Sequence, residues 1–423
     1  RKKYANSLFS FPHLFSFTRR DVPGVTELTR LLAREGFLWC NPTSISQQAI
    51  SNRFLTFPAE LFEKVFKDLL PSLKLSWSTR KRRPLPESVQ YTLSKFDKIW
   101  IVDSSVLEAL FKKLRSLEDV PKGQLGGKIG VVIDLVTRLP VEIWFKENPR
   151  TNDTKLEEDI LGLVSVNTLL LLDRGFYHFS FWLQLIEQKI HFITRLKKGT
   201  SIKVEKVFSD SYSLRDRLII LGSGTKRTPY VRVRLVEIRS GKTWHCYLTS
   251  VLEPTILPPY VVADLYRKRW RIEQAFNTVK RLLGLSYLWT GSINGIKLRR
   301  VFCGKLPTEK PPLQIWATWL FYAVLMDLGD AIADELTLPV DRISLEMIYR
   351  GLYHFSVAHQ KGLTDDPIKY FAAPENQDLG IVKSIRKSPV RLIIAPFPER
   401  QKNSPDFFFL TISKTLLTTA LQA

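Results

Sequence analysis

The pattern of apolar positions changes texture along the 423 residues. Between 25 and 73 they recur every three or four residues. Val25, Leu28, Leu31 and Leu32 form one stripe and Leu61, Val65, Phe66 and Leu69 another, which predicts amphipathic helices. Pro42-Thr43-Ser44 marks a helix start between them, and residues 46–53 predict a short polar helix. After the basic run Arg80-Lys81-Arg82-Arg83-Pro84-Leu85-Pro86 the period shortens. Lys98 to Val102 predicts a compact strand ending at Asp103. Residues 128–139 and 141–145 predict an antiparallel pair turned near Arg138-Leu139-Pro140, and 155–164 a helix. Thr168 to Leu172 predicts a buried strand ending at Asp173, then a helix over 176–188 and a strand over 191–196. Three strands, then helix, strand, helix and strand, is the order of a mixed α/β sheet.

Residues 202–207, 217–221, 230–238 and 243–248 alternate at the period of strands, with turn signals at Gly222-Ser223-Gly224 and Ser240-Gly241. They predict a β-rich insertion. Pro258-Pro259 restarts a helix running to about Leu283. The chain therefore divides into a helical region (1–79), a basic linker (80–95), a core (96–199), the insertion (200–257), the core's last helix (258–290) and a C-terminal region (291–423) expected to be helical. The apolar run Ile315 to Met326 contains Thr318 and ends at Asp327. It is shorter than the ~20 residues a membrane span needs and predicts a buried helix.

Charge adds a partner. Lys and Arg total 63 against 41 Asp and Glu, a net charge of +22. Phosphates neutralise such a surface and release their own counterions, so a polyanion is expected. No basic amphipathic helix or lipid-anchor motif points to a membrane. Polar residues break the apolar stretch near Leu8, which argues against a secretory signal. Cys40, Cys246 and Cys303 make neither a disulfide framework nor a zinc spacing, which fits a reducing cytoplasm.

The candidate chemistry lies where strands end. Asp103 and Asp173 each follow an apolar strand, where a side chain leaves the core with its backbone fixed. A third acid, Glu273, lies on the helix after the insertion. At about 100° per residue, Tyr266, Arg269, Glu273, Asn277 and Lys280 share an arc of roughly 80°. Carboxylates without a His or Cys cluster favour Mg2+, or Mn2+ in its place, over zinc. Two such ions suit in-line phosphoryl transfer, and Arg269 and Lys280 would face phosphate. Asp134, expected inside a strand, is read as structural. Asp153 and Glu157-Glu158-Asp159 are read as a solvated helix start, and Gly126-Gly127-Lys128 lacks the Ser or Thr of a phosphate-binding loop.

Tyr266-x2-Arg269-x3-Glu273-x6-Lys280 resembles the Y-R-E-K signature of the DDE transposases of the insertion-sequence-four family. Asp103 in Val102-Asp103-Ser104-Ser105 and Asp173 in Asp173-Arg174-Gly175-Phe176 are similar to that family's two catalytic aspartates, and the β-rich insertion is like its pattern. The resemblance covers about 95–290. It implies a ribonuclease H-like fold and an Asp103, Asp173, Glu273 triad holding two metal ions. It also implies double-stranded DNA as partner, both the element's terminal inverted repeats and a target, with cleavage followed by strand transfer. A homodimer in a synaptic complex and a bacterial, nucleoid-associated location follow from the same likeness. Two other readings stay open: a metal-dependent nuclease without strand transfer, and a decayed or domesticated transposase that only binds DNA.

Further DNA contacts are expected from residue type. Gln47, Gln48, Asn52 and Arg53 on the polar helix are of the kinds that read base edges in a major groove. Arg195, Lys197 and Lys198 would track a phosphate backbone. Trp244 has two readings, stacking on an extruded base or packing within a small sheet.

Overall fold

A computed structural model describes residues 25–34, 41–56, 59–106, 128–146, 151–225, 228–283 and 313–384. Helices α1 (Val25–Arg34) and α2 (Gln47–Thr56) precede the long α3 (Ala59–Thr79) and the short α4 (Glu87–Leu93). Strands β1 (Lys98–Val106), β2 (Lys128–Asp134) and β3 (Pro140–Lys146) follow, then α5 (Glu157–Leu163), β4 (Thr168–Leu172), α6 (Phe179–Glu187) and β5 (His191–Arg195). The insertion supplies β6 (Ile202–Asp210), β7 (Leu214–Leu221), β8 (Val231–Ser240) and β9 (Thr243–Thr249). Helices α7 (Pro259–Lys268) and α8 (Trp270–Asn277) come next, and α9 (Leu313–Glu335), α10 (Leu345–Gln360) and α11 (Pro367–Ala372) complete the described chain.

One sheet carries all nine strands in the order β3-β2-β1-β4-β5-β9-β8-β7-β6. The first five form the ribonuclease H-like part, with β1 antiparallel to β2 and parallel to β4. The insertion continues this sheet from β5 through the antiparallel β9, so it is an extension of the core sheet and no separate layer.

Strand alternation divides the core in two, because successive side chains leave a strand on opposite faces. Ile99, Ile101, Leu169 and Leu171 enter the larger core with Val262, Leu265, Ile272 and Phe276 of α7 and α8. Trp100, Val102, Leu170 and Leu172 enter the other, beneath Ile160, Phe181 and Trp182 of α5 and α6. Several element ends differ from expectation by local capping. The first strand of the antiparallel pair stops at Asp134, whose Oδ1 accepts from the Val136 and Thr137 amides before Arg138 takes φ 59°. The helix expected from 176 starts at Phe179, because Asp173 caps a 3-10 turn over Arg174–Phe176.

The insertion is tied to the helix that follows it. Arg234 pairs with Asp216 through two hydrogen bonds, of 2.7 and 2.6 Å, with both side chains buried. Its third bond, 2.6 Å, goes to the Leu257 carbonyl just before α7.

Helix α9 extends the apolar run expected at 315–326 into 23 residues. Ile315–Glu335 is long and apolar enough to cross a membrane, yet 83% of its most apolar window is buried inside the protein. Trp316 meets Phe66 of α3 at 5.3 Å and Trp319 meets Phe276 of α8 at 5.9 Å. Residues 59–79 therefore share a core with α8 and α9, and a boundary at 79 would cut through packed structure.

The basic linker is likewise a structural clamp. Arg80 pairs with Asp327 at 2.7 Å and Asp330 at 2.9 Å, Arg83 with Asp330 at 2.5 Å, and Arg82 with Asp334 and Glu335 at 3.4 and 2.5 Å. These acids recur every three or four residues on α9, which presents them along one face.

Replacing Asp216 with Ala leaves the Arg234 guanidinium buried without its partner and is expected to cost about 3–5 kcal/mol. Chemical denaturation measures this; a loss below about 1 kcal/mol would show that the pair does not anchor the insertion.

Candidate active site

Two strand ends and one helix build the site. The parallel register pairs Val102 with Leu172, so Asp103 and Asp173 stand side by side one step beyond it. Both share the odd-numbered face of Ile101 and Leu171, the face that α8 covers. This parity is why Glu273 on α8 can meet them. Each aspartate is held locally: Asp103 Oδ1 accepts from the Ser104 amide at 2.7 Å, and Asp173 Oδ2 from the Gly175 amide at 3.3 Å.

Arg269 gathers the three acids. Its Nη1 lies 3.2 Å from Asp103 Oδ2, and its Nη2 lies 2.7 Å from Glu273 Oε1 and 3.6 Å from Asp173 Oδ1. The i,i+4 pairing of Arg269 with Glu273 is thus part of a larger arrangement. Burial raises the Asp103 carboxyl to about 7; Asp173 and Glu273 push the same way, while Arg269 and the Ser104 amide oppose.

The acids suit an oxygen-seeking cation by chemistry and by convergence, since one positive group already reaches all three. As placed, the guanidinium lies among them, and no cluster of three or more His, Cys, Asp or Glu among the described residues is close enough to hold a metal. Holding one requires Arg269 to withdraw and the acids to close.

The helix wheel needs correction. The helix tightens at Arg269, which keeps helical φ −52° and ψ −32° at the junction of α7 and α8, and widens into a π turn over Thr278–Leu282. Lys280 lies in that turn, where Nζ donates to Ser105 Oγ and, at 2.7 Å, to the Val106 carbonyl. It therefore sits at the end of β1 beside Asp103. Tyr266, expected against DNA, is buried against Tyr247 with ring centroids 5.5 Å apart, and burial raises its hydroxyl to about 12. It packs behind Arg269, 5.8 Å from the guanidinium carbon. Arg271, on the opposite face of α8, is no bystander. It donates to the Leu135 carbonyl at 3.0 Å and pairs with Asp341 at 2.9 Å, and burial, with Arg138 beside it, lowers it to about 10.

The other expected contacts scatter. Arg195 ends β5 opposite Tyr247. Lys197 and Lys198 are exposed, and the Lys197 ammonium stands 4.9 Å over the Tyr177 ring. Trp244 is half-buried beneath the Arg215 guanidinium at 4.6 Å, at the β8–β9 turn on the same edge of the sheet as the acids. On α2, Gln47 bonds Thr26 at 2.7 Å, while Gln48 and Asn52 lie exposed with a 3.4 Å bond between them. Arg53 belongs to α2, but its side chain lies outside what is described.

Asp153, read from sequence as part of a solvated helix start, is largely buried instead. Its Oδ1 accepts from Ser104 Oγ at 2.5 Å and pairs with Lys128 at 2.6 Å, which brings it into the site's wall. Asn152-Asp153-Thr154 reads as a helix start, and only the register of three distant segments reveals more.

Comparison with known proteins agrees with this geometry. Residues 94–295 match the family model described as the transposase DDE domain. The protein named as transposase y4zB in Sinorhizobium fredii is 23% identical over 211 residues, 48% of this chain and 52% of the relative. Transposase InsG for insertion sequence element IS4 of Escherichia coli is 27% identical over 148 residues, a third of each chain. The chain thus spans about half the length of the first relative and a third of the second. The match encloses Asp103, Asp173 and Glu273 together with every strand of the sheet. Residues 94–295 are thus similar to a transposase DDE domain, ribonuclease H-like in fold, and part of the chain is similar to a transposase of the insertion-sequence-four type.

Proposed function

We propose that this protein is a DNA transposase that binds terminal inverted repeats, cleaves at the transposon ends and joins them to target DNA. The observation that carries the reading is the convergence of Asp103, Asp173 and Glu273 on one guanidinium at the C-terminal ends of two neighbouring strands. Proteins of this family act on DNA and depend on divalent metal. The two aspartates and Glu273 would hold two Mg2+ ions, or Mn2+, which would supply charge stabilisation at phosphorus and activation of an attacking oxygen. Asp103, with Asp173 beside it and Glu273 across Arg269, would serve both ion positions. Arg269, once released from the acids, and Lys280 would carry positive charge to the scissile phosphate. Tyr266 would keep Arg269 in place from behind. Arg195, Lys197 and Lys198 would track the DNA backbone, and Trp244 with Arg215 would offer a planar surface to a base. Gln48, Asn52 and Arg53 of α2 would read base edges, with Gln47 held by Thr26. Two ends brought together imply a homodimer on DNA, and a nucleoid-associated bacterial location suits that substrate.

Asp103→Asn, Asp173→Asn and Glu273→Gln are each expected to abolish nicking of an end duplex in Mg2+ while end binding persists. A variant that nicks normally removes its residue from the site. Cleaved but never joined ends would make the protein a nuclease, and binding without cleavage in the wild type would make it a DNA-binding protein only.

Lys280→Ala is expected to slow single-turnover nicking by about 10²–10³-fold, as loss of a preorganised positive donor does. Arg350→Ala, on an exposed face of α10 where Arg350 pairs with Glu346, is the control. Arg271 is unsuitable because its bridge to Asp341 holds α8. Equal rates for the Lys280 and Arg350 variants would leave Lys280 as surface charge.

The Asp103 carboxyl, raised to about 7, sets a pH dependence for the metal-free protein. The unfolded chain releases this proton near pH 4 and the folded chain near 7. The stabilising contribution is therefore whole below about pH 4 and is lost as pH rises to about 7. Asp103→Asn should match the wild type at pH 4 and exceed its stability at pH 8 by on the order of 1–4 kcal/mol. Denaturant titrations at both pH values check this; a variant less stable than the wild type at pH 8 would contradict it.

A further inference from the structure

Asp153 touches both strand ends that carry the aspartates, and no part of the reading above gives it a task. It sits where a 3-10 turn (Asp153–Leu156) begins, and its side chain is only 21% exposed. Oδ1 accepts from Ser104 Oγ at 2.5 Å, and Ser104 is the residue whose amide holds Asp103. Oδ2 faces Gly175, whose amide holds Asp173; a Cβ built at Gly175 would run into that oxygen. Lys128 of β2 balances the charge at 2.6 Å and is itself fixed by a 2.8 Å bond to the Thr151 carbonyl. A single carboxylate thus bears on the two residues whose amides orient Asp103 and Asp173.

We infer that Asp153 is a positioning residue that fixes the separation of Asp103 and Asp173, acting through Ser104 on one strand end and Gly175 on the other. This rests on the reading of those aspartates as metal-holding groups. Lys128 and Ser104 both engage Oδ1 while Oδ2 packs against Gly175, so the carboxylate is committed to its neighbours and its role is to orient other groups. The absence of a side chain at residue 175 is then a requirement of the site: glycine leaves room for the carboxylate to approach the second strand end. Partners of this kind orient metal-binding groups, and their loss typically costs about 10–100-fold in metal affinity.

The test is Mn2+ titration of the full chain by calorimetry, with melting temperature recorded for each variant. Asp153→Asn is expected to weaken Mn2+ by about 10–100-fold while the protein stays folded. Lys128→Met combined with Asp153→Asn removes the unbalanced ammonium and is expected to stay weak, because the tie is still lost. Ser104→Ala and Gly175→Ala probe the same tie from its two ends and should weaken Mn2+ in the same direction, should Asp153→Asn fail to fold. Wild-type affinity in Asp153→Asn, or recovery of it in the double variant, would overturn the inference. Loss as complete as in Asp103→Asn would make Asp153 a ligand and overturn it too. If Asp103→Asn binds Mn2+ as the wild type does, the metal-site reading fails and this inference falls with it. If Asp103→Asn loses Mn2+ and Asp153→Asn keeps it, only the inference fails.

Discussion

Three carboxylates cannot be brought to one edge of a sheet without a counter-charge, and here Arg269 provides it. Each acid that leaves water gives up hydration, and each neighbour of like sign adds repulsion. The guanidinium offsets both through contacts of 2.7 to 3.6 Å. Much of the surrounding packing serves to keep that group in place. Tyr266 and Tyr247 wall it from behind, the junction of α7 and α8 falls at Arg269 itself, and the buried Arg234–Asp216 pair fixes the chain just before α7.

The C-terminal region supports this arrangement from the other side of α8. Arg271 is drawn to Asp341, which also binds Arg138 at 2.6 Å from the β2–β3 turn. Helix α9 buries its tryptophans against α3 and α8, and its acids hold the arginines at 80–83. Several of the chain's arginines are thereby engaged internally. The net charge of +22 is a property of the sequence, and the pairs at Arg80, Arg82, Arg83, Arg234 and Arg271 show why a count of arginines overstates the surface that DNA would meet.

The fold was largely readable because it rests on local alternation. Strands such as Thr168–Leu172 are wholly buried and short, and period two alone puts Asp103 and Asp173 on one face. The spacing of Tyr266, Arg269, Glu273 and Lys280 was legible too, since it lies within one stretch of helix. What escaped reading depended on contacts between distant segments. Asp153 gains its place only when residues 104, 128, 153 and 175 are brought together by sheet register. Arg271 has a solvent-like position on a helix wheel, and nothing local announces Asp341, seventy residues on. Arg80 to Arg83 look like a linker because their acidic partners lie some 250 residues away.

The π turn at Thr278–Leu282 has a consequence for how this region tolerates change. A π turn holds an additional residue within one turn of helix, so Lys280 reaches the end of β1 by virtue of chain length as much as of side-chain type. Substitutions in the turn leave the count intact. Removing the additional residue restores ordinary helical spacing, and it is the residues within the turn, Lys280 among them, that leave the helix in a new direction, away from Ser105 and Val106. The position of Lys280 therefore depends on the number of residues in the turn as well as on their kind.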